Sequence, residues 1–125
     1  WMVTGFTPSI VAEYLDEIRS YAQQERGEPL PADYQVAVYY NINVNENRDE
    51  ALEESKRFLD TYYTTDYPRD YLRTWVALGS PDQCVKDIQS FIDAGATTIT
   101  LRLASYDQQY QYRRVTEEVL PALHV

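Results

Sequence analysis

The 125-residue chain contains very little cysteine, histidine or glycine. Its single cysteine, Cys84, cannot form an internal disulfide, and we therefore expect a cytoplasmic protein. The single histidine, His124, lies next to the last residue, so neither a cysteine–histidine zinc site nor a histidine-based triad is supported. Four glycines and six prolines beside 44% hydrophobic residues exclude collagen-like and low-complexity chains. We expect a single α/β domain over residues 1–125.

Basic residues and long hydrophobic runs are also scarce. Eleven Lys and Arg stand against twenty Asp and Glu, which gives a net charge of −9. This sign disfavours binding to phosphate backbones or anionic lipid. Apolar stretches such as Val36–Val38 are far shorter than the roughly 20 residues that span a bilayer. We therefore expect neither nucleic acid nor membrane as a partner, and a small-molecule substrate instead.

Apolar and polar residues alternate in two segments, which predicts two β-strands. The first, Tyr34 to Val44, has an apolar face and a partly polar face, and the second runs from Thr97 to Leu103. A short strand is also expected at Trp1 to Thr4. The stretch from Tyr63 to Leu78 has no regular period, so we expect a loop with a short helical turn there.

Apolar residues three or four positions apart predict four helices between and after these strands. The clearest start is a capping box of Ser80 and Gln83 with Pro81 in the first helical position. The helices are expected after Thr7 until Gly27, from Asp49 to about Tyr62 with a Glu53–Arg57 pair, from Ser80 to Gly95, and after Asp107 with Tyr112, Val115, Val119 and Leu120. This alternation indicates parallel βα units with right-handed crossovers.

Residues 79–123, GSPDQCVKDIQSFIDAGATTITLRLASYDQQYQYRRVTEEVLPAL, combine three features. They are a Gly-Ser-Pro-acid helix start, an Asp-Ala-Gly turn into an apolar strand, and a last helix ending in Val-Leu-Pro. With them the chain resembles the C-terminal signature of the bacterial luciferase-like monooxygenases, which are flavin- or deazaflavin-dependent oxidoreductases. Upstream, Trp1–Gly5 resembles the end of a barrel strand of that family, and Asp33–Ala51 resembles its penultimate βα unit.

The resemblance implies a fold, a cofactor and an incomplete site. Family members are (β/α)₈ TIM barrels of roughly 250 residues, so this chain would supply the last βα units of a partial barrel. The parent protein would be an oxidoreductase or monooxygenase using FMN or coenzyme F420, and the fragment alone is expected to be inactive. A different reading of the same pattern is a small non-catalytic α/β interaction domain that forms a homodimer through its strand edges. A third is a regulatory module that binds a ligand at the strand ends.

Candidate site residues follow from the rule that barrel sites lie at the carboxyl ends of the strands. Arg102 is the strongest, because a guanidinium on a strand interior must meet an anion or a carboxylate; the alternative is a structural ion pair. The other candidates, for substrate or cofactor binding, are Asn41, Asn43, Ser105, Tyr106, Thr4 and Gly5. Backbone capping is the alternative for the two asparagines, and a place at the start of the last helix is the alternative for Ser105 and Tyr106. Thr4 and Gly5 depend on the resemblance alone.

A group of aromatic residues precedes the third predicted helix. Its members are Tyr62, Tyr63, Tyr67, Tyr71 and Trp75. They are expected to line a substrate lid, to cover the core, or to form a subunit interface. The sequence pattern does not choose among the three.

Overall fold

Four parallel strands form one sheet in the computed structural model, which describes residues 1–125. They are β1 (Met2–Thr4), β2 (Ala37–Val44), β3 (Val76–Gly79) and β4 (Thr98–Leu103). Every pairing is parallel, as the βα alternation predicts.

Strand β2 lies at the centre of the sheet. Strand β4 pairs along most of it, with Ala37 opposite Thr98 and Asn41 opposite Arg102. Strand β1 pairs with the first residues of β2, and β3 pairs with its last four residues from Asn41 onward. Since a strand has two edges, β1 and β3 share the edge of β2 that β4 leaves free.

Five helices connect or follow the strands. They are α1 (Pro8–Tyr21), α2 (Arg48–Tyr63), α3 (Arg69–Trp75), α4 (Pro81–Asp93) and α5 (Gln108–Arg114). Helix α1 continues in a wider turn over Ala22–Arg26, and α5 does the same over Val115–Val119 before a short tight turn at Leu120–Ala122. None of these helices is both long enough and apolar enough to cross a bilayer.

The helix boundaries follow the sequence signals closely. Side chains of Thr7, Asn47, Ser80 and Asp107 accept hydrogen bonds from the first turns of α1, α2, α4 and α5. The predicted capping box of Ser80 and Gln83 forms in full. Gly27 ends the first helical segment in the left-handed conformation, at φ 70°.

Two hydrophobic cores lie on opposite faces of the sheet. The larger joins Val36, which precedes β2, and alternate residues of β2 up to Val44 to α1, α4 and the last helical segment. The smaller joins α2 and α3 to Val76 and Leu78 of β3. Val76 and Leu78 are in register with Asn41 and Asn43, so these residues share the second face. Helices α2 and α3 thus cover the carboxyl end of the face that the other helices leave open.

Strand β3 is the main departure from the sequence prediction, which expected only a loop and a helical turn between Tyr63 and Leu78. The structure has a two-turn helix, α3, followed at once by β3. Residues 76–78 are buried on both faces, so they show no apolar–polar alternation, and a four-residue apolar run does not by itself distinguish a strand from part of a helix. Strand β2 also starts at Ala37, three residues later than predicted.

Two predictions about helix surfaces are wrong. Glu53 bonds to Arg69, with 2.6 Å between its Oε1 and Nε of the arginine, instead of pairing with Arg57. In the last helix Tyr112 and Leu120 are exposed, and Gln111 is buried in their place. Both errors concern contacts with residues distant in sequence, which short-range spacing does not reveal.

Candidate functional site

The face of the sheet opposite the larger core carries most of the predicted site residues. Thr4 is in register with Tyr39, Tyr39 with Thr100, and Asn41 with Arg102. These five residues therefore lie on the same face. We call it the site face. Its carboxyl end is where α/β proteins with parallel strands place their ligands.

An aromatic layer covers the carboxyl end of the site face. It consists of Tyr62, Tyr63, Tyr67, Tyr71 and Trp75, whose ring centroids lie 4.8 to 6.0 Å from their neighbours. Trp75 is buried beneath the tyrosines, whereas Tyr62 is 61% exposed. Tyr62, Tyr63 and Tyr71 are therefore exposed, whereas Tyr67 is partly buried and packs with Trp75 on the smaller core.

Thr4 and Gly5 lie directly under the aromatic layer. The indole Nε1 of Trp75 donates to Oγ1 of Thr4 at 2.8 Å. Gly5 has φ +73°, and a Cβ there would lie 2.5 Å from the hydroxyl oxygen of Tyr71. Thr4 and Gly5, which were candidates on the family resemblance alone, therefore lie at the interface between the sheet and the aromatic layer.

Arg102 projects from β4 into the same layer. Its guanidinium carbon lies 3.5 Å from the ring centroid of Tyr62, and its Nη1 donates to the hydroxyl of Tyr63 at 3.0 Å. The phenyl ring of Phe58 lies 5.8 Å away. No carboxylate of this chain forms an ion pair with Arg102. The structural ion pair that the sequence left open is therefore not formed within these 125 residues.

Asn41 is fully buried beside Arg102. Its Nδ2 donates to the backbone oxygen of Trp75 at 3.2 Å, whereas its Oδ1 has no hydrogen-bond partner. The donor side of the amide positions the end of α3 over the sheet. The Oδ1 of Asn41 is thus a buried acceptor without a partner, on the residue that lies opposite Arg102 in the sheet.

Asn43 is engaged entirely by the chain itself. Its Nδ2 lies 2.7 Å from Oε1 of Glu54, 3.1 Å from the backbone oxygen of Ala104 and 3.4 Å from that of Ala51. Its Oδ1 accepts from Nε2 of Gln111. Both amide hydrogens are thus used to join β2, α2 and the end of β4.

Gln111 is the buried polar residue that the sequence analysis missed. Its Oε1 accepts from the backbone nitrogen of Val44 at 2.8 Å, and its Nε2 donates to the backbone oxygen of Val44 at 2.9 Å. The side chain therefore pairs the end of β2 as a neighbouring strand would. One signal was available, because residues 111, 115 and 119 share one helix face and Val115 and Val119 are apolar.

Ser105 and Tyr106 lie in the turn between β4 and α5. This position agrees both with ligand binding and with a place at the start of the last helix. Ser105 is buried, and its backbone oxygen accepts from Nε2 of Gln108. Tyr106 is 58% exposed and packs edge-to-face on Phe58, with 5.6 Å between ring centroids. Tyr106 therefore extends the aromatic surface beyond Arg102, while Ser105 faces the protein interior.

Burial disfavours the charged forms of the reactive groups on the opposite face. Burial raises the pKa of the Cys84 thiol to about 12, and it also raises the pKa of the Tyr40 phenol. The pKa of the half-buried Asp87 carboxyl is raised as well, again by burial. These groups lie beneath the crossover helices, away from the site face. No set of three His, Cys, Asp or Glu side chains is arranged to hold a metal ion.

Comparisons with known proteins identify the fold. No protein-family model and no curated protein matches the chain. Among solved structures, an F420-dependent secondary alcohol dehydrogenase in complex with an F420-acetone adduct is 17% identical over 99% of this chain and 42% of its own, with a TM-score of 0.78. The coenzyme F420 dependent tetrahydromethanopterin reductase from Methanopyrus kandleri is 18% identical over 98% of this chain and 45% of its own, with a TM-score of 0.69.

A third match extends the similarity to an enzyme with a different cofactor. The oxygenating constituent of 3,6-diketocamphane monooxygenase from Pseudomonas putida, a Type II Baeyer-Villiger monooxygenase in complex with FMN, has a TM-score of 0.54. It is 16% identical over 99% of this chain and 42% of its own. The chain thus spans less than half the length of each structure it matches. At these identities the likeness establishes the fold, and the chain has the fold of a part of the F420- and FMN-dependent luciferase-like enzymes.

Proposed function

We propose that this chain is the substrate-side part of a luciferase-like oxidoreductase that uses FMN or coenzyme F420. The observation that carries the proposal is the combination of a matching fold with a site face that bears Arg102 and exposed tyrosines at the carboxyl ends of its strands. In barrels of parallel strands this end carries the active site. The remaining strands would be supplied by the rest of the protein, since the chain spans under half of its structural matches.

The residues present fit one part of such a cofactor better than another. Arg102 and the tyrosine rings offer hydrogen bonds and stacking surface to a flat ring. A phosphate such as that of FMN or F420 often binds at a free helix N-terminus. In this chain, capping side chains already bind the N-termini of α1, α2, α4 and α5. The phosphate would therefore be held by residues outside this chain.

The bound cofactor would carry the redox chemistry, and this chain would shape the space beside it. Arg102 would orient a polar group of the substrate, and the aromatic layer would exclude water from the strand ends. No side chain on the site face is a strong general base, because the face is made of tyrosine, threonine, asparagine and arginine. Proton transfer would therefore depend on groups outside these residues.

The test is to isolate the native protein that carries this chain and to titrate it with FMN and, separately, with F420. We expect an intact mass well above 14.6 kDa and a shifted visible absorption band for one of the two cofactors. A native protein of 14.6 kDa that binds neither would overturn the proposal.

The open edge of β4 favours a second candidate, a non-catalytic domain that forms a homodimer. Strand β4 pairs only with β2, so the backbone groups along its other edge have no partner strand in the chain. A six-residue strand edge without a partner strand favours association with another strand. Sedimentation of the cofactor-free native protein distinguishes the candidates: a stable dimer without cofactor affinity supports this one, and a monomer that binds a cofactor contradicts it.

A further inference from the structure

We propose that the site face binds a carboxylate carried on a flat conjugated molecule, and that Arg102 holds the carboxylate. This inference rests on the proposed function only in taking this face as the substrate site. It goes further by naming the chemical class of the substrate.

Arg102 differs from every other arginine of the chain. Five arginines form no ion pair, namely Arg26, Arg48, Arg57, Arg102 and Arg113. Of these, Arg102 alone is partly buried, and the other four are exposed to water. Its guanidinium has five N–H donors, and it uses one of them on Tyr63 in a hydrogen bond that is open to water. The remaining donors have no acceptor within this chain and are free to bind a ligand.

The groups around Arg102 are all uncharged. Across the sheet its register partner is Asn41, and α2 contributes Phe58, Tyr62 and Tyr63. No carboxylate lies within 4.0 Å of its guanidinium nitrogens. A negatively charged group that approaches the site face would therefore meet an arginine with no competing carboxylate.

The local chemistry favours a carboxylate over a phosphate. Arg102 supplies a single positive charge on this face, and a single charge matches a monoanion. The chain also carries a net charge of −9, which would repel a dianion. A planar guanidinium pairs with a carboxylate through two parallel hydrogen bonds in its own plane.

The aromatic layer explains why the carrier of the carboxylate should be flat. The guanidinium stacks on Tyr62, at 3.5 Å from the ring centroid, so its donor edge points along the surface of the layer. Tyr63 and Tyr71, both more than a third exposed, extend that surface. A conjugated ring would stack on them while its carboxylate reaches the guanidinium edge.

The test uses benzoate as the probe and benzamide as its neutral isostere, on the native protein without added cofactor. Calorimetry is expected to show benzoate binding at least tenfold tighter than benzamide, since hydrogen bonds between charged groups contribute more than neutral ones. The Nε–Hε signal of Arg102 in the NMR spectrum should shift with benzoate and not with benzamide. The comparison of the two probes needs no variant and so does not depend on a variant folding.

Two variants localise the effect. Arg102→Gln should weaken benzoate binding at least tenfold and leave benzamide binding unchanged. Arg113→Gln, which removes an exposed and unpaired arginine of α5, should change neither. Equal affinity for the two probes, or full benzoate affinity in Arg102→Gln, would overturn the inference.

The outcome also separates this inference from the proposed function. Benzoate binding through Arg102 in a protein that binds neither FMN nor F420 supports a carboxylate site and overturns the oxidoreductase proposal. Cofactor binding without benzoate binding leaves the oxidoreductase proposal in place. It overturns the carboxylate site, since the charge on Arg102 is then balanced by another segment of the protein.

Discussion

The indole Nε1 of Trp75 donates a hydrogen bond of 2.8 Å to Oγ1 of Thr4, a residue 71 positions earlier in the chain. The backbone oxygen of Trp75 also accepts from Nδ2 of Asn41 at 3.2 Å. One residue at the end of α3 is therefore bonded to both β1 and β2. These two bonds determine where the aromatic layer lies relative to the strand ends.

The bond between Trp75 and Thr4 can be measured by a double-mutant cycle. Thr4→Val removes one partner and keeps the shape of the side chain, and Trp75→Phe removes the other and keeps a smaller aromatic ring; the cycle cancels the cost of the lost volume. We expect a coupling free energy of about 0.5–1.5 kcal/mol from urea unfolding of the two single variants and the double variant. Strictly additive losses would contradict a direct bond between the two side chains.

Gln111 stabilises the end of β2 through both backbone groups of Val44. Replacing it by leucine leaves a buried N–H and a buried C=O unpaired, and we expect a loss of about 2–4 kcal/mol in the free energy of unfolding. Gln109→Leu on the exposed side of the same helix is the matched control, with an expected change below about 0.5 kcal/mol. Equal effects of the two substitutions in urea titrations would show that the pairing with Val44 contributes nothing.

The sequence predicted the features that depend on nearby residues. The capping box of Ser80 and Gln83, the cap at Asp107 and the stop at Gly27 each involve residues within one turn, and all three are confirmed. The parallel β/α arrangement also followed, because the change of hydrophobic period along the chain is a local signal. These local features were enough to predict the fold class.

The interactions of the site face were not predicted, because they join distant segments. The stacking of Arg102 on Tyr62 brings β4 onto α2, and no spacing rule relates residues 40 positions apart. Gln111 was missed for the same reason, since its partner Val44 lies 67 positions away. For Arg102 the sequence left open a bound anion or a structural ion pair, and the structure places tyrosines around its guanidinium.

Asp87 should make the protein less stable as the pH rises. It lies on α4 with a buried Oδ2 that has no hydrogen-bond partner, and burial raises its pKa above the ordinary value of 3.8. The folded state therefore keeps its proton at pH values where the unfolded chain has lost it. Its contribution to stability is greatest below the unfolded pKa and is lost as the pH rises through the folded pKa.

The variant Asp87→Asn removes this titration. We expect it to be more stable than the parent protein at pH 7, with the difference shrinking as the pH falls through the folded pKa and smallest below about 4, where the unfolded carboxyl is also protonated. Urea unfolding at several pH values measures this. Asp82→Asn, an exposed position in the first turn of the same helix, is the control and should not reproduce the gain at pH 7. A constant difference from pH 4 to pH 8 would refute the assignment.

Cys84 should be unreactive in the folded protein. Its side chain is fully buried, its Sγ lies 3.6 Å from the backbone oxygen of Gly79, and burial raises its pKa to about 12. Since the thiolate is the reactive form, we expect no modification by an aromatic disulfide reagent at pH 8 and one equivalent after unfolding in urea. Rapid reaction in native buffer would contradict the burial of this thiol.

Gly5 and Gly27 allow the contact beneath the aromatic layer to be separated from backbone strain. Both have positive φ, 73° and 70°, so substitution by alanine should cost about 1–2 kcal/mol at each for the backbone alone. A Cβ at Gly27 meets nothing within 4 Å, whereas one at Gly5 would lie 2.5 Å from the hydroxyl oxygen of Tyr71. We therefore expect Gly5→Ala to be the more destabilising of the two in thermal or urea unfolding.

The variant Tyr71→Phe tests the cause of that difference. Without the hydroxyl, the nearest atom to a Cβ at Gly5 is the ring carbon Cζ at 3.5 Å, which is an ordinary contact. In the Tyr71→Phe background the cost of Gly5→Ala should therefore fall to that of Gly27→Ala. If the excess cost persists, the aromatic layer does not rest on Gly5. If it disappears, the close approach of Tyr71 requires glycine at the end of β1, and the aromatic layer is seated directly on the strand ends that form the site.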